Sequence, residues 1–194
     1  MKETKDYILK KALVLFMQKS YKEVTMKDIV ESTGLSKGAF YHYFESKESV
    51  FEAVVKYFYD EIMITDFSHF PTHSLKEFYH TYIDSLHTPN VLDTAEAEGN
   101  LFMFIHEASR KVSSFQEIHT AQRRKEVEAW SKVISQAKHT GEIRSAIPDH
   151  EIAQLFIFIS DGVSMTTITR KPDAETLSYL QTSWNNLYHL LKGN

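Results

Sequence analysis

Ser36, Lys37, Gly38, Ala39, Tyr41, His42 and Tyr43 fall in one short stretch, SKGAFYHY, and Lys47 follows closely. The chemistry available there is charge and hydrogen bonding, not bond breaking. A lysine can meet a phosphate or the acceptor edge of guanine, and tyrosine and histidine can donate to phosphates or base edges. Glycine and alanine let a backbone approach closely. Thr25, slightly upstream, adds a hydroxyl. The chain has no Gly-rich phosphate loop, no nucleophile elbow and no HExxH pair, so neither a catalytic residue nor a cofactor is expected. Ten histidines raise the question of a metal. His69 and His73 are spaced like ligands, with His80 further on, but Pro71 breaks the helix that would bring the first two together, and no metal site is expected.

These donors need a scaffold that holds them outward. Thr25 precedes Met26-Lys27-Asp28-Ile29-Val30, and Asp28 three residues on makes nearly a capping box. Val24 and Ile29 can staple the entry of that helix. Ser32-Thr33-Gly34 ends it, because Gly34 can take the left-handed conformation. Ser36 repeats the starting device, with Leu35 and Phe40 as its staple, and the spacing predicts a second helix over 37–44. Phe40 and Phe44 share a face and should point inward, which leaves Lys37, Gly38, Tyr41 and His42 on other faces. Ser46 and Lys47 open a third helix, whose first amides favour an anion. Two short helices joined by a glycine-containing turn form a helix-turn-helix, in which the first helix braces the second for entry into a major groove. The plainer alternative is a capped helical hairpin with no partner.

The segment resembles the N-terminal domain of TetR-family transcriptional regulators over roughly residues 5–55. Their pattern is matched by Thr25 with Ile29-Val30, by Gly34-Leu35-Ser36, and by Tyr41-His42-Tyr43-Phe44-Glu45-Ser46-Lys47. The resemblance implies that Thr25, Tyr41 and Lys47 contact phosphates. It also implies that Ser36, Lys37, Gly38, Ala39 and His42 lie at bases or nearby backbone, with Tyr43 a less certain member. Val30 departs from the usual alanine and is slightly larger at a helix contact.

The composition is that of an ordinary globular chain, 194 residues with 42% hydrophobic and 25% charged. The net charge of −4 argues against a nucleic-acid partner, but residues 1–50 carry nine lysines against seven acids, and the remainder is acidic. So weakly basic a head implies affinity gained by pairing two heads. There are no cysteines, which excludes disulfides and thiolate metal sites and fits a reducing cytoplasm. MKETKDYILKK does not read as a signal peptide, and no stretch approaches the ~18 apolar residues of a membrane span.

The remaining pattern is helical, with no convincing strand. A helix is expected over 3–20, then a longer one from Ser46 toward Ile64 that would belong to head and body alike and act as a lever. Further helices are expected near 74–88, 92–113, 115–140, 149–169 and 173–192, nine in all. The expected fold is therefore all-α, with a three-helix DNA-binding domain at 1–48 and a larger helical ligand-binding and dimerisation domain at 49–194. Phe58, Met63, Tyr82, Phe102, Ile105, His106, Trp130 and Phe158 are candidate ligand contacts. His106 and Glu107 would place polar groups at the edge of an apolar cavity. Core packing is the bland alternative for each aromatic residue. The last two helices carry Ile152, Phe156, Ile159 and Val163, then Leu180, Trp184, Leu187 and Tyr188, a pattern suited to a two-fold four-helix interface. The expected function is a cytoplasmic, homodimeric repressor, bound to a palindromic operator and released by an apolar or aromatic effector. Two other readings remain open: a regulator without an effector, and a small-molecule-binding protein with a vestigial head.

Overall fold

The computed structural model describes residues 2–63, 65–86, 101–166 and 174–193. Among these the chain is all-α: α1 (Lys2–Gln18), α2 (Met26–Thr33), α3 (Lys37–Tyr41), α4 (Lys47–Tyr57), α5 (Leu75–Leu86), α6 (Leu101–Lys111), α7 (Phe115–His139), α8 (Asp149–Thr166) and α9 (Ala174–Lys192). The order and class match the expected fold. The expected helix over 92–113 is seen from Leu101 to Lys111, and its earlier part lies outside the described residues, as do 167–173 between α8 and α9. α4 runs on into a π-helical turn, Phe58–Ile62.

The chain divides into two compact units. The first comprises Met1–Ile64 and Asn90–Thr120, and the second Thr65–Pro89 and Ala121–Asn194. Residues 1–48, the expected DNA-binding segment, lie wholly in the first. That unit extends further than the expected segment, because α6 supplies Phe104 to its core: the ring sits 5.8 Å from Phe51 and 5.2 Å from Phe58. α4 and its π extension therefore end inside this unit. The helix with residues in both units is α7.

The second unit has a mainly aromatic core. Trp130 stacks on Phe156 at 4.9 Å, and Trp184 meets Trp130 edge-on at 5.2 Å. Trp184 also donates through Nε1 to the Phe156 carbonyl at 2.9 Å, so its one polar atom is satisfied inside an apolar site. The start of α5 is capped from far away. The Glu142 carboxylate accepts from the Ser74 hydroxyl at 2.9 Å and from the Leu75 and Lys76 amides at 3.0 and 3.1 Å, and the Tyr188 hydroxyl reaches it at 3.3 Å. A carboxylate at a helix N-terminus satisfies free amides and complements the dipole.

Five of the expected interface residues, Ile152, Phe156, Leu180, Trp184 and Tyr188, are buried in the core of their own unit. Ile159, Val163 and Leu187 are half-buried. The exposed apolar side chains of the two helices are others: Leu155, Phe158 and Met165 on α8, and Tyr179 and Leu190 on α9. Phe158 is 60% exposed, on the outer face of α8.

Candidate nucleic-acid interface

The local sequence builds the α2–α3 pair through its caps. Asp28 N–H donates to Thr25 Oγ1 at 3.2 Å, while the Thr25 amide and hydroxyl donate back to Asp28 Oδ2 at 2.9 and 2.7 Å. These bonds hold the Asp28 carboxyl below its usual range, the hydroxyl contributing most. Gly34 follows with φ of 66°, the left-handed turn expected from the sequence. Ser36 Oγ then accepts from the Ala39 amide at 3.2 Å and opens α3.

α3 is shorter than expected, spanning Lys37–Tyr41 rather than 37–44. The amides of Tyr43 and Phe44 both donate to the Phe40 carbonyl, at 2.9 and 3.3 Å, which tightens the chain and ends the regular helix. Phe40 and Phe44 still point inward, at 0% and 5% exposure. With those two anchored, Ser36, Lys37, Gly38, Ala39, Tyr41 and His42 are all exposed, and Tyr43 is half-buried. Thr25 is also exposed. One cation, three hydroxyl or imidazole donors and a small-residue backbone exposed within seven residues can bind a polyanion and address base edges.

Lys47 is placed differently from a free phosphate contact. Its Nζ donates to the carbonyls of Tyr21 and Val24, both at 2.8 Å, and lies 4.3 Å from the centre of the Tyr21 ring. An ammonium has three N–H groups, so these two bonds leave a third available to a further acceptor. Tyr21 and its partners were missed in the sequence, since its amide bonds Glu107, 86 residues away. No local period signals such a contact.

The expected ligand contacts are divided between the two units. Phe58 is core in the first unit, while Met63, Phe102 and His106 are exposed there, with Ile105 half-buried. Glu107, expected at a cavity edge, turns to the Tyr21 amide instead. Tyr82 and Trp130 belong to the second unit, their rings 5.9 Å apart. The Tyr82 hydroxyl lies 3.5 Å from Glu126, whose carboxyl is raised above its usual range by burial even though it pairs with Arg123 at 2.9 Å. Trp130 Nε1 is buried without a hydrogen-bond acceptor among the described residues. Among the described residues no His, Asp or Glu cluster could hold a metal, and no helix is long and apolar enough to cross a membrane.

Residues 8–54 match the family of bacterial regulatory proteins of the tetR type. Over 61 residues the chain is 43% identical to the HTH-type transcriptional regulator YuxN of Bacillus subtilis, a match covering 31% of this chain and 21% of that protein. Over 56 residues it is 39% identical to IcaR of Staphylococcus aureus, the negative transcriptional regulator of the biofilm operon icaADBC, covering 29% and 30%. The matched stretch is thus less than a third of either relative. YfiR of Bacillus subtilis, also an HTH-type transcriptional regulator, is 29% identical over 169 residues, covering 84% of this chain and 80% of YfiR. The crystal structure of a TetR-family regulator from Cytophaga hutchinsonii aligns at a TM-score of 0.74 and 18% identity, covering 99% of this chain and 96% of that one, a likeness of fold.

Proposed function

We propose, from the premise that this chain is a TetR-family transcriptional regulator, that it is a cytoplasmic repressor that binds a palindromic operator as a homodimer and is released by a small-molecule effector. It is a regulator rather than an enzyme. Residues 1–48 would read the DNA, and residues 49–194 would carry the pairing and effector functions. The observation that carries this reading is the exposed start of α3, held outward by Phe40 and Phe44. The test is selection of bound duplexes from a random-sequence pool by the purified protein. Two inverted half-sites spaced by about one helical turn or a multiple of it are expected. Recovery of no preferred sequence would sink the reading.

Within the head, Lys37 and His42 are assigned to base edges. Lys37→Ala or His42→Ala should change preference between related duplexes by about 1–3 kcal/mol at one position per half-site. Equal weakening on every duplex would instead assign them to phosphate.

Pairing is supported by the outer stripe of α8 and α9. Leu155, Phe158, Ile159 and Met165 recur at helical spacing on α8, and Tyr179 and Leu190 stand exposed on α9. Exposed apolar stripes of this kind mark interaction surfaces, and a two-fold pair of such helices is self-complementary. Phe158→Asp should convert a dimer to a monomer by light scattering while leaving helicity and melting of the monomer intact. A dimer that persists would move the interface elsewhere.

The support for an effector lies in the second unit. Tyr82 and Trp130 pack together there, with an enclosed indole donor that has no acceptor among the described residues and a partly buried carboxyl nearby. Apolar walls with few polar atoms suit an apolar or aromatic ligand with a hydrogen-bond acceptor. Such a ligand must bind the released state more tightly than the DNA-bound one, because equal affinity shifts nothing. A ligand screen in which no compound alters operator affinity would favour a regulator without an effector.

A further inference from the structure

Tyr21 lies in the turn between α1 and α2 and is only 9% exposed. Each of its groups is engaged by another element of the first unit. Its amide donates to Glu107 Oε2 on α6 at 2.6 Å, and its hydroxyl donates to Glu48 Oε1 on α4 at 2.9 Å. Its carbonyl accepts from Lys47 Nζ on α4. Its ring stacks edge-on against Phe51 at 4.9 Å, and Lys47 and Lys111 both stand 4.3 Å from the ring centre. Burial, and then the bond to Glu48, push the phenol up to about 12, so it stays a donor.

This turn sets where two DNA-facing groups stand. Lys47 is pinned by the carbonyls of Tyr21 and Val24, and Thr25 follows Val24 directly as the cap of α2. On one side the turn is fastened by α4, which belongs to the head by sequence. On the other it is fastened by Glu107, which does not. Glu107 is anchored in turn, because its neighbours Phe104 and Ala108 are buried in the same core.

We infer that Glu107 is a positioning residue for DNA binding: through the Tyr21 amide it fixes the turn that orients Lys47 and Thr25 at the phosphate backbone. α6 is thus a working part of the DNA-reading unit. A carboxylate accepting a part-buried amide is among the stronger hydrogen bonds, and without it that amide has no partner. Freed on this side, the turn no longer holds the ammonium and the α2 cap in register.

The inference rests on the function proposed above, and the test keeps the two apart. The full chain and its variants are titrated with the duplex recovered from the random pool over a range of salt, with the active fraction counted in each sample. Glu107→Ala should bind about tenfold more weakly at low salt, the scale of one charge-assisted hydrogen bond. The slope of log affinity against log salt should become shallower by up to about 1 per head, since Lys47 is no longer held at its phosphate. The Tyr21 amide should exchange with solvent faster. Glu107→Gln keeps an acceptor oxygen and should fall within about threefold of the wild type. Should Glu107→Ala not fold, Glu107→Asp withdraws the carboxylate by one methylene and should lose affinity in the same direction. Wild-type affinity in Glu107→Ala or Glu107→Asp would overturn the inference, and so would equal loss in Glu107→Ala and Glu107→Gln. A wild-type chain that selects no duplex overturns the functional reading instead, and this inference with it.

Discussion

Phe40→Ala is expected to remove operator binding and to destabilise the first unit by about 3–5 kcal/mol. α3 is a five-residue helix, far below the length at which a helix persists in water on its own. What holds it is Phe40, fully buried, with Phe44 beside it at 6.1 Å. Removing the ring leaves a cavity under the one element that presents Lys37, Gly38 and His42. Tyr41→Ala is the control. Tyr41 is 45% exposed, and its loss should change stability by no more than about 0.5 kcal/mol while weakening binding to every duplex. Urea unfolding and duplex titration of both variants separate the roles. A Phe40→Ala protein that still selects the wild-type sequence would show that α3 is not held as described.

Trp184→Ala should lower the melting temperature by roughly 10 °C, from a loss of about 3–5 kcal/mol in a chain of this size. Trp184 is fully enclosed by Tyr79, Tyr82, Trp130 and Phe156, and its indole nitrogen is bound to the Phe156 carbonyl. Trp184→Phe keeps much of the packing and loses that bond, at about 1 kcal/mol. The outcome discriminates between two placements of the residue. A side chain between subunits would dissociate the dimer on truncation and leave the subunit's own melting nearly unchanged. A core side chain unfolds the subunit. Thermal melts read beside light scattering decide, and an unaltered melt with lost dimer would return Trp184 to an interface.

Much of the head was legible because its signals are local. Thr25 and Asp28, Gly34, Ser36, and Phe40 with Phe44 each act over four residues or fewer, and the structure uses them as the spacing implies. The end of α3 was not legible. Tyr43 and Phe44 continue the helical pattern in sequence, yet both amides turn onto one carbonyl. Which face of α8 and α9 the subunit buries was not legible for a different reason. α8 is apolar on two faces: Ile152 and Phe156 line one, Leu155 and Phe158 the other. Periodicity finds both stripes and does not tell which one the subunit buries itself. The contacts of Tyr21 with Glu107 and of Ser74 with Glu142 join residues 86 and 68 positions apart. They depend on the fold already formed.

The cap on α5 has a consequence for how the protein is made. The amides of Leu75 and Lys76 wait for a carboxylate that leaves the ribosome more than sixty residues later, a delay on the order of several seconds at ordinary rates of translation. Tyr188, which completes the Glu142 cluster, comes later still. The first unit has all its residues once Thr120 has emerged. The nascent chain should therefore finish its first unit while the second is still open, and a protease pulse on stalled chains should find residues 2–63 protected before 65–86.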